Sequence, residues 1–176
     1  MDFPSFKKIP RLNREIVVTE KLDGTSALVS ISEDGSIKAG SRNRWITPTD
    51  DNYGFAKWVE RNKEELLKLG VGNHHGEWWG AGIQRRYDMK EKVFSLFNTG
   101  KWNKENVPSC CRVVPVIYQG LFSQHEILIA INTLTNQGSM AAEGFMNPEG
   151  ICIYHTAADQ YFKVTVLNDE KPKGLV

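Results

Sequence analysis

Residues 15–41 read EIVVTEKLDGTSALVSISEDGSIKAGS, two β-branched runs on either side of a Lys-Leu-Asp-Gly bend. Glu15 to Glu20 is short and rich in Val, Ile and Thr, residue types that suit a pleated, half-buried strand. Thr25 to Ser32 alternates in part and runs into Glu33-Asp34-Gly35, a turn signal, after which Ser36 to Ser41 is the returning strand. Lys21-Leu22-Asp23-Gly24 therefore lies at a bend between two strands.

Outward from this hairpin, Phe55, Trp58, Val59, Leu66, Leu67 and Leu69 keep to one helical face. Asp50, Asp51 and Asn52 offer caps before that helix, and Gly70 ends it. A second helix starts at Ser123, which with Glu126 has the S-x-x-E spacing of a capping box. Ile127, Leu128, Ile131 and Leu134 form its apolar face, and Gly138 closes it. Strand signals return at Arg112 to Gln119, Gly150 to His155 and Tyr161 to Leu167. Many strands with few, non-alternating helices predict an α+β domain with antiparallel sheets. No repeat, low-complexity tract or linker divides residues 1–176, so a single domain is expected.

The 176 residues are 40% hydrophobic and 24% charged, an ordinary globular composition. A net charge of +1 excludes a polycation effect, so contact with nucleic acid must come from local Lys and Arg patches. No apolar stretch approaches the ~20 residues that span a bilayer. No signal-peptide core is present either, and a soluble, cytoplasmic protein is expected. Cys110, Cys111 and Cys152 form no C-x-x-C pair and are read as reduced thiols. His74 and His75, if on a strand, point to opposite faces and cannot share a metal.

The chemistry starts at Glu20-Lys21-Leu22-Asp23-Gly24-Thr25. A lysine attacks only as the neutral amine, which burial or nearby positive charge favours. Its stem can reach a phosphate, and the glycine lets backbone approach closely. K-x-D-G alone is weak, since a solvated hairpin lysine gives the same string. Further blocks follow it: Ser41-Arg42-Asn43-Arg44, Gly76-Glu77-Trp78-Trp79-Gly80, Val93-Phe94-Ser95-Leu96-Phe97-Asn98, Pro148-Glu149-Gly150-Ile151-Cys152-Ile153-Tyr154 and Tyr161-Phe162-Lys163-Val164-Thr165. A carboxylate beside glycine suits a ribose hydroxyl or a metal-bound water. A lysine on an apolar strand, as at Lys163, needs an anionic partner if buried.

This series resembles the covalent nucleotidyltransferases, and most of all small phage-type ATP-dependent RNA ligases. The resemblance covers Glu20 to about Gly174 and implies an α+β nucleotidyltransferase fold with two antiparallel sheets flanking an ATP cleft. By resemblance, Lys21 is the AMP-bearing nucleophile within the Asp23-Gly24 turn and Glu20 reads the adenine edge. Arg42 contacts ribose or phosphates, Glu77 the ribose hydroxyls, and Phe97 stacks on adenine, with Phe94 its rival. Glu149 orients the water shell of Mg2+ or Mn2+ and is preferred to Glu143 because an apolar strand follows it. Lys163 holds the α-phosphate. RNA with 5′-phosphate and 3′-hydroxyl ends is the implied substrate.

Thr165 departs from the pattern by standing where a second lysine is usual, with Lys171 or Lys173 as compensating charges from the tail. No OB-fold or helical accessory domain is visible in the sequence. A DNA-nick ligase, a catalytically silent nucleotide-binding module, and a partner subunit that supplies RNA binding remain as alternatives. Trp58, Trp78, Trp79 and Trp102 are expected in the core. Arg85, Arg86, Lys90 and Lys92 read equally as a solvated face or an RNA track, and Lys7, Lys8, Arg11 and Arg14 as solvated surface.

Overall fold

The computed structural model describes residues 3–170. Strands β1 (Glu15–Lys21) and β2 (Thr25–Ile31) flank the Lys21–Gly24 bend as the sequence predicts. They do not pair with each other. β1 belongs to a four-stranded sheet of order β10-β9-β1-β8, formed with β8 (Val116–Leu121), β9 (Gly150–His155) and β10 (Gln160–Thr165). β2 belongs to a six-stranded sheet of order β4-β3-β2-β5-β6-β7. Its other members are β3 (Ile37–Gly40), β4 (Trp45–Ile46), β5 (Gly72–Gly80), β6 (Lys92–Leu96) and β7 (Cys111–Val113). The bend is thus the joint between the two sheets. All pairings are antiparallel except β6 with β7, which is parallel.

Period-two alternation assigns the faces. Ile16, Val18 and Glu20 of β1 are buried, whereas Val17, Thr19 and Lys21 point to the other side and are half-buried. Ile16, Val18, Ile151 and Ile153 pack beneath Ala130 and Leu134 of helix α3 (Gln124–Gln137). The Ser123 hydroxyl accepts from the Glu126 amide at 3.3 Å, so the predicted cap forms, and the Gly138 amide donates to Leu134 O.

The six-stranded sheet buries Ala27, Val29, Ile31, Trp78, Phe94 and Leu96 with Phe55 and Val59 of helix α1 (Phe55–Arg61). Asp51 caps this helix by accepting from Ala56 N and Lys57 N. The single helix predicted to reach Gly70 is broken at Asn62 into α1, α2 (Lys63–Leu66) and a 3-10 turn at Leu67–Leu69. The Asn62 side-chain amide donates to Trp58 O at 2.8 Å beside its own backbone N–H, competing for a helical acceptor. The strand predicted from Arg112 to Gln119 is likewise two strands. Pro115 separates them, and the chain changes sheet there.

A third cluster of Leu22, Trp79, Tyr87, Val93 and Val114 joins the end of β1 to the second face of the six-stranded sheet. No helix of the described residues is long and apolar enough to cross a membrane.

Candidate active site

Residues directly opposite across strands share a face, and this rule collects the site. Lys21 lies opposite Gly150, and Gly150 opposite Thr165; one step along, Thr19 lies opposite Cys152, and Cys152 opposite Lys163. Lys21, Cys152, Lys163 and Thr165 therefore share the face turned away from α3. The Lys21 ammonium pairs with Glu149 Oε2 at 2.6 Å, with side chains 20% and 2% exposed. Glu149 is fixed by Val166 N, which donates to its carbonyl at 3.0 Å. Gly150 must be glycine, because a Cβ there would overlap the Val164 carbonyl oxygen. Gly150 leaves the position between Lys21 and Thr165 in this row without a side chain.

The six-stranded sheet contributes Glu77, in a row with Ser26 and Ser95. Glu77 Oε1 accepts from the Gly24 amide at 3.0 Å, so this carboxylate meets the turn that follows Lys21. Burial pushes its carboxyl up to about 7, against the lowering effects of the Gly24 bond and the Lys21 charge. Gly24 fits only without a side chain: a Cβ there would run into Trp78 O and lie 2.6 Å from Trp79 Cβ.

Two residues that sequence reasoning left outside the site hold the turn. The Tyr87 hydroxyl accepts from Asp23 N at 2.8 Å, and Arg85 Nε donates to Asp23 Oδ2 at 2.9 Å. Arg85 Nη1 also reaches Asn147 O at 3.2 Å and Asn147 Oδ1 at 3.0 Å. Arg85 thereby ties the Lys21 turn to the segment that carries Glu149, and resolves as a bridging residue rather than a solvated face. The loop presenting both side chains has positive φ at Gln84, Arg86, Tyr87 and Asp88. Left-handed backbone at non-glycine residues costs about 1–3 kcal/mol each and persists where packing over-determines it. Tyr87 is held by Trp79 and Phe145, with ring centroids 4.9 and 4.7 Å away. If the chain carries out the chemistry that the sequence resemblance implies, Arg85→Ala slows the first covalent step more than it weakens ATP binding, with Arg85→Lys restoring little, because lysine lacks the planar fork. Single-turnover rate and ATP affinity, measured separately, check this.

Other assignments fall differently. Glu20 does not face the cleft. Consecutive strand residues point to opposite sides, so the strand that aims Lys21 at the cleft sends Glu20 beneath α3. There it is 1% exposed and accepts from the Ser139 hydroxyl and the Met140 and Ala141 amides, anchoring the loop after α3. Phe97 is partly buried against the Trp79–Tyr87 cluster, and its amide donates to His75 O. Phe94 is fully buried on the α1 side, which removes it as a stacking surface. Arg42 sits exposed at the tip of the β3–β4 hairpin, closed by Ser41 N donating to Arg44 O. Lys163 is exposed on the cleft face. The Thr165 hydroxyl donates to Leu167 O at 2.9 Å and brings no charge. Lys171 and Lys173 lie outside the described residues. His74 and His75 do diverge, His74 inward onto Gly70 O and His75 outward.

Among the described residues no group of three or more His, Cys, Asp or Glu side chains could cage a metal ion. The donor set fits instead a hard, largely hydrated divalent ion, held by one or two carboxylates together with substrate phosphates. The carboxylates nearest Lys21 are Glu149, in contact with its ammonium, and Glu77, whose carboxyl feels the lysine charge.

The family model described as RNA ligase matches residues 14–165. No curated protein sequence matches the chain. Among solved structures, a Naegleria gruberi RNA ligase variant with ATP and Mn is 22% identical, with a TM-score of 0.65 over 89% of this chain and 51% of that one. Another variant, with AMP and Mn, is 21% identical with a TM-score of 0.61, covering 88% and 50%. An apo variant gives 22% and 0.63, covering 87% and 50%. At this identity the likeness shows the fold, and the chain spans about half the length of those ligases. The family match covers Lys21, Glu77, Glu149 and Lys163, and the chain belongs to the RNA ligase family.

Proposed function

We propose that this chain carries the nucleotidyl-transfer site of an ATP-dependent RNA ligase, with Lys21 as the nucleophile. The observation that carries the proposal is Lys21 Nζ held 2.6 Å from buried Glu149 at the joint of the two sheets. In the first step the N–P bond to the α-phosphorus of ATP forms and the P–O bond to pyrophosphate breaks. The proton that Lys21 gives up passes to Glu149 Oε2, the acceptor in contact with it. The lysyl-AMP then gives AMP to the 5′-phosphate of RNA, and a 3′-hydroxyl displaces that AMP.

Lys163 holds the α-phosphate from the next row of the same face, and Arg42 reaches phosphates or ribose from the rim. Glu77 accepts from the ribose hydroxyls, and Phe97 stacks on the adenine. A bound Mg2+ or Mn2+ supplies positive charge to the phosphates, and Glu149 orients its water.

Incubation with ATP and Mg2+, followed by 5′-phosphorylated RNA, tests the scheme. A one-AMP gain in protein mass, discharged onto the RNA, is expected. Discharge only onto nicked DNA would make this a DNA-nick ligase. ATP binding with no adduct would make it a silent module, the reading that uncharged Thr165 favours.

The Glu77 carboxyl, pushed up from 4.5 to about 7 by burial, gives a pH signature. A raised folded pKa means that the native state holds the proton more tightly than the unfolded chain. The stability this contributes is complete below about 4.5 and is lost as pH rises through about 7. The ionised form is the better acceptor for two ribose hydroxyls. The apparent KM for ATP is therefore expected to fall as pH rises through about 7, and Glu77→Gln to lack that inflection. A pH series of KM on both proteins checks it.

A further inference from the structure

Beyond the nucleotide site, the cleft face of the six-stranded sheet continues to its edge. Ser26 lies opposite Glu77, Leu28 opposite His75 and Ser30 opposite Asn73. Leu28 also lies opposite Gly40, and Gly40 opposite Trp45. Trp45, Gly40, Leu28 and His75 thus form one transverse row, immediately beside the row that holds Glu77. At about 4.8 Å per strand, Trp45 stands roughly 14 Å from His75.

This row ends in an aromatic platform. Trp45 is 56% exposed, whereas Trp78, Trp79 and Trp102 are buried and Trp58 packs on the core. Its ring lies over Gly40, with Cε3 3.5 Å from where a Cβ would stand, so the missing side chain seats the indole against the sheet. Lys38, on the same face opposite Ser30, places its ammonium 5.9 Å from the Trp45 ring centroid. Glu60 and Lys63 line the cavity beside Trp45 and Lys38, and Asp50 nearby is engaged by Arg44 at 2.6 Å. An exposed indole with a lysine ammonium over its ring, on the face that carries the nucleotide site, has the chemistry that binds single-stranded nucleic acid: stacking for a base, positive charge for its phosphates.

We infer that Trp45, with Lys38, is a stacking platform for an unpaired base of the RNA strand at a distance from the joined end. The inference rests on the reading of Lys21 and Glu77 as the ATP site.

Trp45→Ala, Trp45→Phe and Lys38→Ala are compared with the unaltered chain, titrated with a fluorescent 5′-phosphorylated single-stranded oligoribonucleotide. Adduct formation with ATP is measured in parallel. Trp45→Ala is expected to weaken RNA binding by about 5- to 150-fold, with Trp45→Phe retaining most of the affinity. Lys38→Ala should weaken binding and lower the salt slope by about one. The ATP adduct should form in all three as in the unaltered chain. Undiminished RNA affinity in Trp45→Ala would overturn the platform. So would a parallel loss of the ATP adduct, which would place the ring at the nucleotide instead. Absence of any adduct from the unaltered chain would sink the ATP-site reading, and the RNA titration would still report on Trp45.

Discussion

Lys21→Ala is expected to gain no AMP on incubation with ATP and Mg2+, under conditions in which the unaltered chain gains one. The effect should be close to total. Removing a nucleophile from a catalytic group that acts as a unit costs on the order of 10⁶ in rate, and among the described residues the other lysine on this face is not placed to replace it. Lys163 is on the same face, but it lies one strand beyond Cys152 and two residues along from the Lys21 row. Lys21→Arg should fail as well, because a guanidinium keeps its proton and has no free pair to attack phosphorus. The fold should persist in both variants. Lys21 is partly exposed at a strand end, and the joint is also held by Leu22, Tyr87 and Arg85. Intact-mass measurement gives the outcome, with circular dichroism confirming the fold. An adduct of undiminished yield on Lys21→Ala would place the covalent chemistry elsewhere.

How far the sequence revealed this site depended on whether the signal was local. The β1 and β2 runs announce themselves through β-branched residues and alternation, and Ser123 with Glu126 announces α3, because each is decided within a few residues. β5 carries Glu77 but hides. Gly72, Gly76 and Gly80 with two tryptophans break its alternation, although Gly76 has a structural reason: a Cβ there would lie 2.6 Å from the Phe94 ring. The break at Asn62 hides too, since a side-chain amide taking a helical carbonyl leaves no periodic mark. Glu20 misleads for a different reason. Adjacency to Lys21 in sequence becomes opposition in a strand, and the carboxylate is spent on the loop after α3. Arg85 and Tyr87 act on Asp23 across separations of 62 and 64 residues, which no local pattern encodes. Their one sequence trace is the Gly80-Ala81-Gly82 run that lets the chain turn before them.

Glu149→Gln is expected to lower the rate of AMP transfer to Lys21 by about 10²–10⁴, the range for loss of a positioned proton acceptor. Glutamine keeps the shape and can still accept a hydrogen bond from Lys21, so Nζ stays near its place. What it cannot do is take the lysine proton or hold the water of a divalent ion with a full negative charge. The stability cost is smaller. A hydrogen bond to a charged group contributes about 1.5–3 kcal/mol, and the 20% exposure of Lys21 lets water make good part of that loss. Activity and stability therefore separate in this variant: the melting temperature falls by a few degrees while adduct formation nearly stops. Raising the pH offers a further discrimination. If Glu149 serves chiefly as proton acceptor, hydroxide and buffer bases take over that role at alkaline pH and restore part of the rate to Glu149→Gln. If it serves chiefly to hold the ion's water, the rate stays low at every pH and rises instead with Mg2+ concentration. A rate equal to that of the unaltered chain at neutral pH would remove Glu149 from the chemistry and leave the 2.6 Å contact as a structural ion pair.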